Sequence, residues 1–293
     1  MLPPPNSALS AESSEFTISK QVDEVNLILS VTDSKGRFVD NLTANDFMLL
    51  DNHRSPGRWS YFQARTDLSL HVILAIDVSA SISERLGFEQ RAASTFFKHI
   101  LRKGTDEAAI VAFGNTVQEK TAGMTSDVDA LDATIHALQA GGDTAMYDAI
   151  VLSSRKILES RRNSAGRPVI ILITDGEDTS SKETLRAAEE AALRSEAAIF
   201  ALDASPYFEK NSKGSLVLEK LTRATGGIVL PARKDADLKA AFGTMEKILR
   251  TQYALGYPPP DLEVNGSFRT IEVISNKRGL QVHTRNGYFA PHK

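Results

Sequence analysis

The sequence predicts an α/β fold: a doubly wound, mainly parallel sheet inserted into a β-sandwich built by the two ends of the chain. Three observations carry this. Between His71 and Leu249, short and nearly continuous apolar runs alternate with longer stretches of helical spacing, as expected for parallel strands joined by helices on both faces of a sheet. On either side of that region the text reads as strands and turns alone. Neither β-rich end alone has strands enough to bury an apolar face, so the two are expected to complete one another.

The elements follow in order. Residues 1–15 are rich in Pro, Ser and Glu and read as a disordered leader. Val25, Leu27, Leu29 and Val31 alternate along a half-buried strand that ends at the turn Asp33-Ser34-Lys35-Gly36. Phe47–Leu50 and the aromatic group Trp59, Tyr61 and Phe62 supply further strands of a first sandwich half, residues 16–68. The α/β unit is assigned to 69–250. Its buried strands are His71–Ile76, Ala108–Phe113, Val169–Ile173, Ala198–Leu202 and Ile228–Leu230, with Val117–Thr121 folding back as a hairpin across Gly114-Asn115. Helices are expected over Phe88–Leu101, with Phe88, Ala92, Phe96 and Ile100 as its buried stripe, and over Asp127–Leu138 and Thr144–Leu158. Three more are expected: Ser181–Arg194, opened by the capping box Ser180–Glu183; Leu216–Ala224, closed by Gly226-Gly227; and Asp235–Leu249. Tyr253–Tyr257, Phe268–Ile274 and Gln281–Arg285 make the second sandwich half, 251–290.

Composition narrows the function. A formal net charge of -3 without basic runs argues against nucleic acid and against a polybasic membrane patch. The chain has no cysteine, which removes disulfides, thiolate metal sites and cysteine nucleophiles together. No apolar stretch approaches the roughly 20 residues that span a bilayer, and Met1–Pro5 has neither the basic leader nor the apolar core of a signal peptide. Six histidines are scattered without ligand spacing, and the glycine-rich phosphate loops and nucleophile elbow are absent.

In an open parallel sheet, ligands sit beyond the carboxyl ends of the strands. Three polar places fall there: Asp77-Val78-Ser79-Ala80-Ser81, Gly141-Gly142-Asp143-Thr144, and Thr174-Asp175-Gly176-Glu177-Asp178. They offer carboxylates and hydroxyls, the oxygen donors that a hard cation takes. Asp77 and Asp175 would balance a divalent charge; Ser79, Ser81 and Thr144 would bind without over-neutralising it. Asp148, one helical turn after Thr144, reads either as an organiser of that loop or as a surface carboxylate, and Asp143 and Asp178 read as ordinary loop acids.

Asp-x-Ser-x-Ser, a later Thr after Gly-Gly, and Thr-Asp-Gly after a buried strand together resemble the metal-ion-dependent adhesion site of von Willebrand factor A domains. The resemblance covers roughly residues 70–250, and all five metal-site positions carry the expected residue type. It implies a divalent cation, Mg²⁺ with Mn²⁺ or Ca²⁺ as alternatives, held by Asp77, Ser79, Ser81, Thr144 and Asp175. It also implies a cation-dependent adhesion module rather than an enzyme, the metal bridging to an Asp or Glu of a protein partner, and an extracytoplasmic location. The β-rich flanks resemble bacterial chains in which such a domain interrupts a β-sandwich, similar to integrin β subunits. Two other readings stay open at this stage: metal-dependent phosphoester hydrolysis, and a structural module whose metal only stabilises the loops.

Overall fold

The structure is a computed structural model that describes residues 24–64, 68–160, 166–205, 212–261 and 263–291. The leader expected over residues 1–15 lies outside the described residues.

Among the described residues three strands come first, β1 (Val25–Asp33), β2 (Phe47–Asp51) and β3 (Tyr61–Gln63). The α/β region follows: β4 (Leu70–Asp77), α1 (Ser83–Ile100), β5 (Glu107–Phe113), β6 (Val117–Glu119), α2 (Val128–His136), α3 (Met146–Ser160), β7 (Arg167–Thr174), α4 (Leu185–Arg194), β8 (Ala198–Asp203), α5 (Lys213–Thr225), β9 (Val229–Pro231) and α6 (Asp235–Arg250). Four strands come last among the described residues: β10 (Tyr253–Tyr257), β11 (Phe268–Ser275), β12 (Leu280–His283) and β13 (Gly287–Phe289).

The central sheet has the order β6-β5-β4-β7-β8-β9, parallel throughout except for β6, which pairs antiparallel with β5 as the expected hairpin. Every residue of β4 and β7 is buried, which is why these strands read as unbroken apolar runs. One apolar cluster packs α1, α2 and α6 on one face of the sheet, and a second packs α3, α4 and α5 on the other. Gly226 ends α5 with φ 84°, a left-handed conformation that costs glycine little and fits the helix stop read from Gly226-Gly227.

The two ends of the chain pair with each other. β1 lies between β10 and β12, β10 also pairs with β3, and β2 pairs with β11, giving sheets β12-β1-β10-β3 and β13-β11-β2. A single apolar cluster draws Val25, Leu27, Leu29, Val31 and Phe47 from before the α/β region and Tyr253, Leu255, Tyr257 and Ile271 from after it, with Trp59 and Val273 partly buried against it. The C-terminal segment contributes four strands where three were expected. Its last, β13, is only three residues long and too short to show a period.

Two local expectations are corrected. The expected stripe of α1 holds only in part: Phe96 and Ile100 are buried, but Phe88 and Ala92 are half-buried, and the inner face also runs through Leu86, Glu89, Gln90, Ala93, Ser94 and Phe97. Helix α4 starts at Leu185 rather than Ser181, capped by Thr184, whose hydroxyl accepts from the Ala187 N–H at 3.2 Å. The Ser180–Glu183 box does not form because tertiary partners take its backbone N–H groups, that of Ser180 going to the Thr144 carbonyl. Ser181 Oγ donates to Asp178, and the N–H groups of Lys182 and Glu183 are held by Asp148.

The β-sheets of the chain ends sit at the amino-terminal ends of the central strands. Arg285 binds Glu196, just before β8, the Asn286 N–H reaches the Ala224 carbonyl, just before β9, and the Arg194 guanidinium lies 3.8 Å from the Phe289 ring centroid. The carboxyl-terminal face of the central sheet, where the candidate residues lie, is at the far side from these contacts.

Candidate metal centre

From β4 the chain turns to one side to form β5 and β6, then crosses back to form β7 on the other. The order of strands therefore reverses between β4 and β7, and a crevice opens at their carboxyl ends. Asp77 is the last residue of β4, and Asp175 follows β7 directly. Asp77 is buried and makes two hydrogen bonds. Its Oδ1 accepts from the Ser79 N–H at 2.8 Å and its Oδ2 from the Thr174 hydroxyl at 3.0 Å. Ser79 and Ser81 turn their hydroxyls together, 3.0 Å apart, and Asp175 Oδ1 accepts the Glu177 N–H at 3.0 Å, which folds the Asp175–Glu177 turn.

Thr144 reaches the same end through backbone bonds. The Gly141 N–H donates to the Val78 carbonyl and the Ala80 N–H to the Gly142 carbonyl, so the loop before α3 is laced to the Asp77–Ser81 segment. On its other side the Thr144 N–H donates to the Thr179 hydroxyl, and its carbonyl accepts from the N–H groups of Thr179 and Ser180. Gly142 has φ 87°, and a Cβ there would overlap the Asn115 side chain, whose Oδ1 holds the Asp143 N–H. The three loops form one hydrogen-bonded unit, with Asp77, Ser79 and Thr144 buried, Asp175 half-buried and Ser81 exposed.

Burial pushes the Asp77 carboxyl above the usual carboxylate range; the Ser79 and Thr174 hydrogen bonds oppose the shift, and the charge of Asp175 adds to it. Among the described residues no Lys, Arg or His pairs with Asp77 or Asp175. None of the described residues form a cluster of three or more His, Cys, Asp or Glu side chains suited to a metal. The five residues are a different donor set, two carboxylates and three hydroxyls. Two carboxylates lacking a basic partner, one of them buried, fit a divalent cation as counter-charge, and their all-oxygen character fits a hard one.

Residues 72–177 match the family described as von Willebrand factor type A domain. The chain contains a von Willebrand factor type A domain. Among solved structures, a von Willebrand factor type A protein from Catenulispora acidiphila is 14% identical over 92% of this chain and 74% of its own, with a TM-score of 0.53. The PilB minor pilin from Streptococcus sanguinis is 12% identical over 64% of this chain and 62% of the pilin, with a TM-score of 0.52. An aerotolerance-related membrane protein from Bacteroides fragilis is 18% identical over 61% of this chain and 99% of its own, with a TM-score of 0.49. At these identities the likeness to the first two is one of fold. No curated protein matches the sequence. Among the described residues no helix is long and apolar enough to cross a membrane.

Several residues of the von Willebrand domain act on this end of the sheet without standing out in the sequence. Asp178 accepts the Tyr147 N–H in the first turn of α3 at 3.1 Å, and Asp148 accepts from Lys182 and Glu183, so both acids organise loops. Asp148 thus holds the turn at Lys182 and Glu183, not the Thr144 loop that the sequence suggested for it. Thr174 is a second link between the motifs, since its hydroxyl donates to Asp77 and accepts from the Gly176 N–H. A Cβ on Gly214, at the start of α5, would overlap the Asp175 carbonyl oxygen, so α5 packs directly on that turn. Glu89 on α1 is 1% exposed, and neither carboxylate oxygen has a hydrogen-bond partner. Burial pushes its carboxyl up to about 7, against the pull of Arg85 at 3.9 Å and with a further push from Asp77 and Asp175. The sequence signal for Glu89 was available: an acid in register with Leu86 and Ala93 on the inner face of the helix.

Proposed function

We propose that the von Willebrand domain is a divalent-cation-dependent protein-binding module. The observation that carries this is the pair Asp77 and Asp175. They lie at the strand-order reversal without a basic partner, beside the converging hydroxyls of Ser79 and Ser81, on the face turned away from the flanking sheets. Asp77, Ser79, Ser81, Thr144 and Asp175 would hold the ion, Mg²⁺ in the first instance with Mn²⁺ and Ca²⁺ as alternatives. The bound ion would supply positive charge and a coordination position open to an Asp or Glu of a protein partner. The chain's own residues do the rest. Ser79 N–H and Thr174 fix the Asp77 carboxylate, the Gly141–Gly142 carbonyl and N–H contacts set the height of Thr144, and Asp178 and Asp148 keep the Thr144 and Asp175 loops in register.

Binding is favoured over phosphoester hydrolysis because the two acids that bridge the loops are already committed. Asp178 and Asp148 spend their oxygens on backbone N–H groups and a serine, which leaves neither of them free to act as a general base. An extracytoplasmic setting belongs to the same reading, in keeping with the minor pilin that shares the fold.

Calorimetric titration of the full chain with Mg²⁺ and Mn²⁺ tests the site. Saturable binding is expected in the wild type and none in Asp77→Ala, since a hydroxyl cannot replace the lost charge. Unchanged affinity in that variant would place the cation elsewhere and overturn the reading.

A further inference from the structure

Beside the cation loops lies a cleft of about 340 Å³. Val78, Gly114 and Gly141 form its inner wall, and their backbones also carry Ser79 and the Thr144 loop. The outer wall is the β5–β6 hairpin with Asn115, Gln118 and Lys120, and Gln139 closes the side after α2. This lining is unlike an apolar docking groove, because it presents amides and one ammonium group over a small apolar floor.

Lys120 is the informative residue. It is exposed and its Nζ donates to Gln118 Oε1, a neutral acceptor. The acid next to it in sequence, Glu119, faces the other side of the hairpin and pairs with Lys156 on α3. Among the described residues Lys120 has no carboxylate partner and the Gln139 side chain has no hydrogen bond. An uncompensated ammonium group therefore lines the cleft that adjoins the cation loops, and both places complement negative charge.

Register gives their separation. Asp77 lies opposite Phe113 on β5, and the Lys120 N–H donates to the Ile110 carbonyl of the same strand. Three residues along a strand, about 10 Å, and two strand spacings across, again about 10 Å, put the Cα atoms of Asp77 and Lys120 about 14 Å apart. Allowing for the reach of the lysine side chain, two carboxylates three or four residues apart in an extended segment would span the two places, at about 3.4 Å per residue.

We propose that the cleft is a second subsite, in which Lys120, assisted by Asn115 and Gln139, takes an acidic side chain of the same partner segment whose first carboxylate meets the cation. The partner is thus a doubly acidic extended segment. This rests on the cation-dependent binding reading and adds to it a spacing rule and a residue that the cation itself does not need.

Fluorescently labelled, end-blocked peptides test it, each carrying two aspartates separated by one to six glycine or serine residues, together with versions in which either aspartate is asparagine. Anisotropy is measured with the full chain in Mg²⁺ and in chelator. Peptides with two or three intervening residues are expected to bind roughly 3- to 10-fold tighter than either single-acid version, in keeping with one partly exposed ion pair. The gain should vanish in Lys120→Gln and persist in Lys120→Arg, while titration with Mg²⁺ alone is the same for all three proteins. Cation-dependent binding of single-acid peptides with no gain from the second acid, or a gain that survives in Lys120→Gln, overturns the subsite and leaves the cation reading standing. If no peptide binds in a Mg²⁺-dependent way, the binding reading fails and takes the subsite with it.

Discussion

Asp51 and Asp77 are buried acids that each end a strand, one in the sheets made by the chain ends and one in the central sheet, and their surroundings differ in kind. Asp51 is fully buried and closed on every side. Arg269 Nε donates to its Oδ1 at 3.0 Å, and the hydroxyls of Tyr257 and Tyr288 donate to its Oδ2 at 3.1 and 2.9 Å. Arg269 in turn binds Asp261, which also pairs with Arg54, so the charges cancel within the cluster. Burial, with the Asp51 charge beside them, raises both tyrosine pKa values and keeps the phenols as donors. Asp77 is buried as deeply but has two uncharged donors, a like charge nearby and no cation of the protein's own. A closed network holds strands together; an open one has capacity left for something outside the chain.

The comparison breaks most readily at Asp51. Asp51→Ala leaves the Arg269 guanidinium buried with a half-exposed acid as its one charged partner, and a loss of about 3–5 kcal/mol is expected in urea denaturation. The same measurement on Asp77→Ala in chelator should show no comparable loss, because a buried carboxylate without a counter-charge is removed. A loss at Asp51 below about 1 kcal/mol, or equal losses at both, removes the distinction.

Glu89 sharpens it through pH. Its carboxyl is raised from 4.5 to about 7, so the folded state favours the protonated form. The contribution of this group is full below about pH 4.5 and is lost as the pH rises through about 7. Glu89→Gln cannot ionise and avoids that loss. In cation-free buffer the variant should gain on the wild type between pH 5 and pH 8, by up to about 3 kcal/mol at the upper end. Denaturant midpoints at several pH values decide it; a difference that does not change with pH means Glu89 stays ionised throughout.

The smallest expected effect is steric. Gly214→Ala drives a methyl group against the Asp175 carbonyl oxygen, so α5 must shift at a cost of about 1–2 kcal/mol. Cation affinity should fall several-fold, as it would not for an equally destabilising change among the flanking sheets. Unaltered Mg²⁺ affinity in a folded Gly214→Ala protein would show that the Asp175 turn does not depend on α5.

Much of the fold was legible because its signals are local. Unbroken apolar runs marked β4, β5, β7 and β8, period-two alternation marked β1, and Gly226 marked the end of α5. The candidate residues Asp77, Ser79, Ser81, Thr144 and Asp175 were legible for a related reason: each follows a recognisable strand or opens a recognisable helix, and the position of an element's end fixes which side of the sheet its residues occupy. The first half of the α1 stripe, Phe88 and Ala92, was misplaced because an acid and an amide, Glu89 and Gln90, sit on the inner face and disguise the period.

The sequence by itself determined which residues end up at the carboxyl edge of the central sheet, since backbone propensity, period and turn chemistry act over a few residues. Tertiary structure decided which polar groups find partners. Asp148 could take the N–H groups of the expected α4 cap only because α3 lies beside that segment, 34 residues away in sequence for Lys182. Asp51 could be closed only by Arg269, Tyr257 and Tyr288, all more than 200 residues downstream. Burial penalties and hydrogen-bond satisfaction depend on distance in space, and for residues this far apart in the chain only the packed fold sets that distance.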